Sequence, residues 1–291
     1  MMFDFYVIIL NTLVMIFALI GAILSGISIR VYGRRELRKS AIGILLLTHS
    51  SAQCLFSSSL LFANGIFHLL FQEPEPATIL FTLKSWFGTF EVYMFFIICS
   101  NFAKLMTYST ILMISVQQCI AVLVPLKVKT WCTMSKIKLI LLFFIVFSLI
   151  QAAGRWLSVL RLVKYSGEYP FVQPLVYVEA VCLTYGVLIF ALRRAREQSK
   201  NLEAHKNSKS LSKTSSTTIM IFFIVTSFTL TNMPFWMSTN YLKDLFSLEP
   251  ATLNDILTVF SIFMLMDPIF TFLSHFIFSK AYKASVKGCC K

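Results

Sequence analysis

Residues 5–29 read FYVIILNTLVMIFALIGAILSGISI, 25 residues without a charge, and residues 30–39 read RVYGRRELRK, with five basic side chains. A helix needs ~20 apolar residues to cross a ~30 Å hydrocarbon core. The run is therefore long enough to span a bilayer and too long for the core of a cleavable signal peptide. A charge-poor run closed by a basic cluster is the unit from which the rest of the chain is built. By the same criterion, crossings fall near 5–29, 41–68, 88–123, 137–160, 174–192, 217–241 and 255–278. The predicted fold is all-α: a seven-transmembrane helix bundle over 1–278, followed by a short amphipathic eighth helix over 279–291.

Composition agrees with a membrane protein. The chain has 291 residues, of which 57% are hydrophobic and only 13% charged, with a mean hydropathy of +0.76; soluble domains carry about 25% charged residues. The formal charge of +13 raises the question of nucleic acid, and the positions of the basic residues answer it. Arg30 to Lys39, Lys127 to Lys138, Arg193 to Lys213 and Lys280 to Lys291 all fall on one side of the predicted layout and hold 20 of the 26 basic residues. By the positive-inside rule that side is cytosolic, with the amino terminus outside and the carboxyl terminus inside. The basic residues thus report orientation, and no nucleic acid partner is expected. Trp86, Trp131, Trp156 and Trp236 lie at or near predicted helix ends, where interfacial aromatics are favoured. The seven cysteines show no metal-ligand spacing and no extracellular pair, so neither a metal nor another cofactor is implied. External loops are short, so a ligand is expected to meet the helix bundle. The polar stretch Ala195 to Ser216 suits a solvated loop or a helical extension of its neighbours.

Three segments in chain order carry chemistry. Ser115-Val116-Gln117-Gln118-Cys119-Ile120-Ala121-Val122, then Pro125-Leu126-Lys127, ends the third crossing. Phe228-x-x-Thr231-Asn232-Met233-Pro234-Phe235 lies in the sixth, and Asp267-Pro268-Ile269-Phe270-Thr271 in the seventh, with Phe278 after six further residues. Proline inside a membrane helix removes a backbone hydrogen bond and kinks the helix, so Pro234 lets the cytoplasmic half swing as a lever.

These segments resemble the rhodopsin family of G-protein-coupled receptors. The first resembles S-V-D-R-Y-I-A-V-x-x-P-L-K, with eight residues in agreement and the Asp-Arg-Tyr centre replaced by Gln117-Gln118-Cys119. The second resembles F-x-x-C-W-x-P-F with Asn232 for tryptophan, and the third N/D-P-x-x-Y with Thr271 for tyrosine. Tyr185, seven residues short of Arg193-Arg194, matches the tyrosine of the fifth helix. The layout covers nearly the whole chain and the motifs about 40 residues of it. The resemblance implies a receptor that binds a small extracellular ligand in the bundle and signals to a heterotrimeric G protein from the plasma membrane. In that family the triplet arginine restrains the inactive state and then packs against the inserted G-protein helix. Gln118 lacks the charge, yet its amide offers two donors and an acceptor, so a neutral hydrogen-bonded lock is open to it. Alternatively, Gln117 and Gln118 solvate a helix end. Ser25 stands in place of the first-helix asparagine, Gln53 in place of the second-helix aspartate and Tyr93 in place of the disulfide cysteine. Ser261 and Ser100 stand where opsins hold the retinal lysine and amine receptors an aspartate, which disfavours retinal and biogenic amines.

Ser100, Lys104, Thr107, Ile111, Ile114 and Gln118 recur at steps of three or four and share one helix face, expected to look into the bundle. At 1.5 Å per residue, Lys104 lies roughly 21 Å outward of Gln118. An intramembrane lysine costs at least ~2.5 kcal/mol unpaired, so it contacts a ligand, pairs with Glu179 or snorkels outward. The family register sets Asn232 opposite Lys104, giving a polar, anion-accepting pocket with Ser100. Asp267 lies near the depth of Gln53. The family sets two such polar groups around sodium, and the single acid here suits a proton as readily as an ion.

Membrane-enzyme signatures such as H-E-x-x-H and G-x-S-x-G are absent, and His49, His68, His205 and His275 are isolated along the chain. No internal repeat of the transporter kind is present. The alternatives to a signalling receptor are a non-signalling or G-protein-independent seven-helix protein, and a transporter. In the tail, Lys280, Lys283, Lys287 and Lys291 share one helical face, placing Cys289 and Cys290 at acyl-chain depth on the inner leaflet, where palmitoylation is expected.

Overall fold

The computed structural model describes residues 2–71, 90–124, 127–159, 208–237 and 250–287, together with Gly186, Ile189, Phe190 and Arg193. Every element among the described residues is an α-helix. In chain order they are α1 (Met2–Tyr32), α2 (Arg35–Arg38), α3 (Ala41–Phe71), α4 (Phe90–Leu123), α5 (Val128–Trp131), α6 (Met134–Val159), α7 (Ser208–Met237), α8 (Pro250–Phe278) and α9 (Lys280–Lys287). Six of them contain a stretch long and apolar enough to cross a membrane: Ile9–Tyr32, Ala41–Gly65, Phe95–Leu123, Met134–Gly154, Thr217–Pro234 and Val259–Phe278. The crossing assigned to 174–192 lies almost wholly outside the described residues. Residues 208–216 of the polar stretch continue α7, so that part of it is a helical extension of its neighbour.

Local chemistry sets the helix ends. Ser40 caps α3, its hydroxyl accepting the Gly43 N–H at 3.0 Å. Gly43 has no room for a side chain, because a Cβ there would collide with the Leu37 carbonyl of the α2 turn. At the same end of the bundle, Ser279 separates α8 from α9 and caps α9 by accepting the Tyr282 N–H at 3.2 Å.

The helices pack around two apolar clusters. The outer one joins Val14 and Ala18 of α1, Phe56 of α3, Ala103 of α4, and Met264 and Leu265 of α8. The inner one joins α1, α3, α4, α6, α7 and α9 through residues such as Val31, Leu45, Ile114, Leu141, Ile224 and Tyr282. Between these clusters along α1, α3 and α8 lie the buried polar residues Ser25, Ser50, Gln53, Asp267 and Thr271. The α1 backbone comes close there: a Cβ on Gly21 would stand 2.8 Å from the Ser57 hydroxyl and 3.4 Å from the Pro268 ring.

The outward faces are apolar. Leu19 and Ile23 on α1, Leu139, Phe143 and Ile150 on α6, and Leu230 on α7 are exposed in the isolated chain. In water such stripes would favour aggregation; against lipid they lose nothing. The protein is a multi-pass membrane protein with a seven-helix bundle fold and a short eighth helix.

Candidate functional site

The polar layer is organised by a four-residue period on two helices. His49, Gln53 and Ser57 repeat along α3, while Asp267, Thr271 and His275 repeat along α8, so each set occupies one helix face. The two faces meet at Gln53. Its amide donates to Asp267 Oδ2 at 2.8 Å and to Thr271 Oγ1 at 3.2 Å, and all three side chains are buried. The second carboxyl oxygen, Asp267 Oδ1, has no hydrogen-bond partner among the described residues. Gln53, the stand-in for an acid, thus serves as the donor to the remaining acid, and Thr271 completes the cluster with its shorter hydroxyl. Pro268 lies inside α8, one residue after Asp267.

Toward the C-terminal end of α4, Gln118 is buried and its amide donates to Thr218 Oγ1 of α7 at 2.6 Å. Gln118 thereby joins α4 to α7 through a neutral hydrogen bond. Gln117 is half-buried with its Oε1 unbonded among the described residues, and Cys119 is buried.

One level outward, α4 and α7 meet again. Tyr108 and Phe228 pack edge to face with ring centroids 5.3 Å apart, and the Tyr108 hydroxyl donates to Asn232 Oδ1 at 3.4 Å. The Asn232 amide donates to the Phe228 carbonyl at 2.9 Å and approaches Thr231 Oγ1 at 3.2 Å. Both ends of Asn232 are therefore engaged at the Tyr108 level, one turn inward of Lys104. A buried amide oxygen needs a donor, and the tyrosine hydroxyl supplies one. Of the face that carries Lys104, Ser100, Thr107, Ile111, Ile114 and Gln118 are buried, and Lys104 is half-buried. Pro234 sits inside α7, just outward of a run in which Thr226, Ser227, Thr229 and Thr231 all turn their hydroxyls onto carbonyls of the preceding turn. Such back-bonding, added to the proline, favours a bend at this level.

The histidines, isolated along the chain, are partners in space. His49 Nδ1 lies 3.1 Å from Thr110 Oγ1 of α4. The same hydroxyl has the Met106 and Thr107 carbonyls of its own helix at 2.9 Å. His275 Nδ1 lies 2.7 Å from the Tyr32 hydroxyl of α1 and 3.4 Å from Met220 Sδ of α7. Tyr282 of α9 packs on both Tyr32 and His275, and its hydroxyl bonds Ser28 at 2.8 Å. One imidazole thereby ties α1, α7, α8 and α9 together at the inner end of the bundle. Sequence reasoning missed Thr218, Tyr108 and this histidine cluster. The four-residue spacing of His49 with Gln53, and the eight-residue spacing of Asp267 with His275, was the available signal. Tyr185, Glu179, Cys289 and Cys290 lie outside the described residues, as does the Trp86 indole.

Residues 174–291 match the sequence model of the family described as serpentine type 7TM GPCR chemoreceptor Srw. The structure resembles the crystal structure of squid rhodopsin with a TM-score of 0.69, over 97% of this chain and 86% of that one, at 13% sequence identity. No curated protein sequence matches the chain. At that identity the likeness to squid rhodopsin is one of fold. The matched family segment contains Asn232, Pro234, Asp267, Pro268 and Thr271.

Proposed function

We propose that this chain, a divergent rhodopsin-like seven-transmembrane receptor and not an enzyme, binds a small extracellular ligand in the outer half of its bundle and signals to a heterotrimeric G protein at the inner end of α4 and α7. The observation that carries the reading is the Gln118–Thr218 hydrogen bond of 2.6 Å. It joins α4 to the inner end of α7, the helix whose proline makes its inner half a lever, at the position the receptor resemblance assigns to the switch. A neutral bond there is easier to break than an ion pair, since a typical one contributes about 0.5–1.5 kcal/mol net. Ser100 and Lys104 supply the polar wall of the ligand site. Tyr108, Phe228 and Asn232 lie between that level and the lock, so a ligand that shifts α4 against α7 outside also shifts the bond inside.

The test is basal signalling. Gln118→Leu and Thr218→Val each remove the bond at nearly constant volume, and each is expected to alter basal G-protein dissociation in cells at matched surface expression. The double variant should match the single ones. Unchanged basal signal in all three would rule out the lock. A G-protein-independent receptor is the second reading, favoured by the missing cation at position 118.

A further inference from the structure

We propose that the α5–α6 corner binds the headgroup of a phosphoinositide, with the acyl chains lying along the outer face of α6. Two ammonium groups are already fixed there. Lys127 Nζ stands 5.1 Å above the centre of the Trp131 ring, and Lys136 Nζ donates to the Thr130 carbonyl at 3.0 Å. Lys138 is exposed in the first turns of α6. Among the described residues, neither Lys127 nor Lys136 is paired with a carboxylate, and the sequence has no acidic residue from 92 to 167. The cluster at 30–39, by contrast, contains Glu36.

The apolar half of the site continues from these lysines. Lys136, Leu139 and Phe143 follow one helical row, and Lys138, Leu142 and Val146 the next. Leu139 is 68% exposed, Phe143 63% and Ile150 62%. From Leu139 to Ile150 the stripe rises about 16 Å at 1.5 Å per residue, close to one leaflet of a ~30 Å hydrocarbon core. Cations at one end, a half-exposed indole at the headgroup level and an acyl-length apolar face below match the shape of an anionic phospholipid. A monoanionic headgroup meets one ammonium at a time. A phosphorylated inositol reaches several, which is why the lysines without counter-ions point to that class.

The experiment uses the full chain in phosphatidylcholine nanodiscs containing a small fraction of phosphatidylinositol bisphosphate with a photoactivatable acyl chain, and maps the crosslinks by mass spectrometry. Labelling is expected to concentrate on Leu139 to Ile150. It should fall about tenfold or more in a Lys127→Gln, Lys136→Gln, Lys138→Gln variant, persist when the same three are changed to Arg, and persist in Lys280→Gln, Lys283→Gln. Labelling spread evenly round the bundle, labelling of α6 untouched by the triple Gln variant, or equal labelling by a phosphatidylserine probe would each overturn the proposal. The readout involves neither G protein nor ligand, so it fails or succeeds independently of the signalling reading.

Discussion

At the level of single residues, the amides of Gln53 and Gln118 each make a buried hydrogen bond that joins two helices. Gln53 donates to both Asp267 and Thr271, so its loss leaves a buried carboxyl without its donor. Gln53→Leu is expected to destabilise the protein by about 1–3 kcal/mol, the cost of an unsatisfied buried polar group, read as a lower thermal midpoint in detergent. Asp267→Asn keeps an oxygen to accept the Gln53 amide and should cost far less; equal losses would show that the pair does not act through this bond. These residues differ in how much the sequence disclosed. Gln118 stood out because the frame around it is shared with a known motif. Thr218 did not, since a polar residue gains its meaning from the helix opposite, and nothing local to residues 214–222 names that helix.

Among the helices, the inner end of the bundle is held by aromatic and imidazole packing. His275 meets Tyr32 of α1, Met220 of α7 and Tyr282 of α9, so one ring fixes the docking of α9 beside α1. His275→Phe preserves most of the packing and removes the 2.7 Å bond to Tyr32. It should loosen α9, seen as faster backbone hydrogen exchange over Lys280–Lys287 with little change over Phe95–Leu123. Unaltered exchange in α9 would mean that Tyr282 and the Ser28 bond suffice. The six described membrane-length helices fall on charge-poor runs of the sequence, because the bilayer imposes their length. What lay beyond the sequence was the pairing of faces. Both four-residue ladders are visible in the chain, yet that Gln53 reaches Asp267 while His49 turns to Thr110 on α4 depends on how three helices rotate against one another.

Across the molecule as a whole, apolar outer faces and a polar seam make a multi-pass membrane protein. The orientation we propose places 20 of 26 basic residues in the cytosol. An epitope at Met1 should stain on intact cells, and one inserted between Lys200 and Lys206 only after permeabilisation; the reverse pattern would invert the layout. The acylation expected at Cys289 and Cys290 from the sequence would require the same orientation. On the proposed reading, this bundle passes a signal to a G protein without the cation its relatives in motif use at position 118. The decisive experiment is guanine-nucleotide exchange by a panel of purified heterotrimeric G proteins, with the full chain reconstituted in lipid nanodiscs. We expect exchange above the empty-nanodisc background with at least one G protein, and a changed rate with Thr218→Val. Exchange equal to background across the panel, for both wild type and Thr218→Val, would contradict G-protein signalling by this chain.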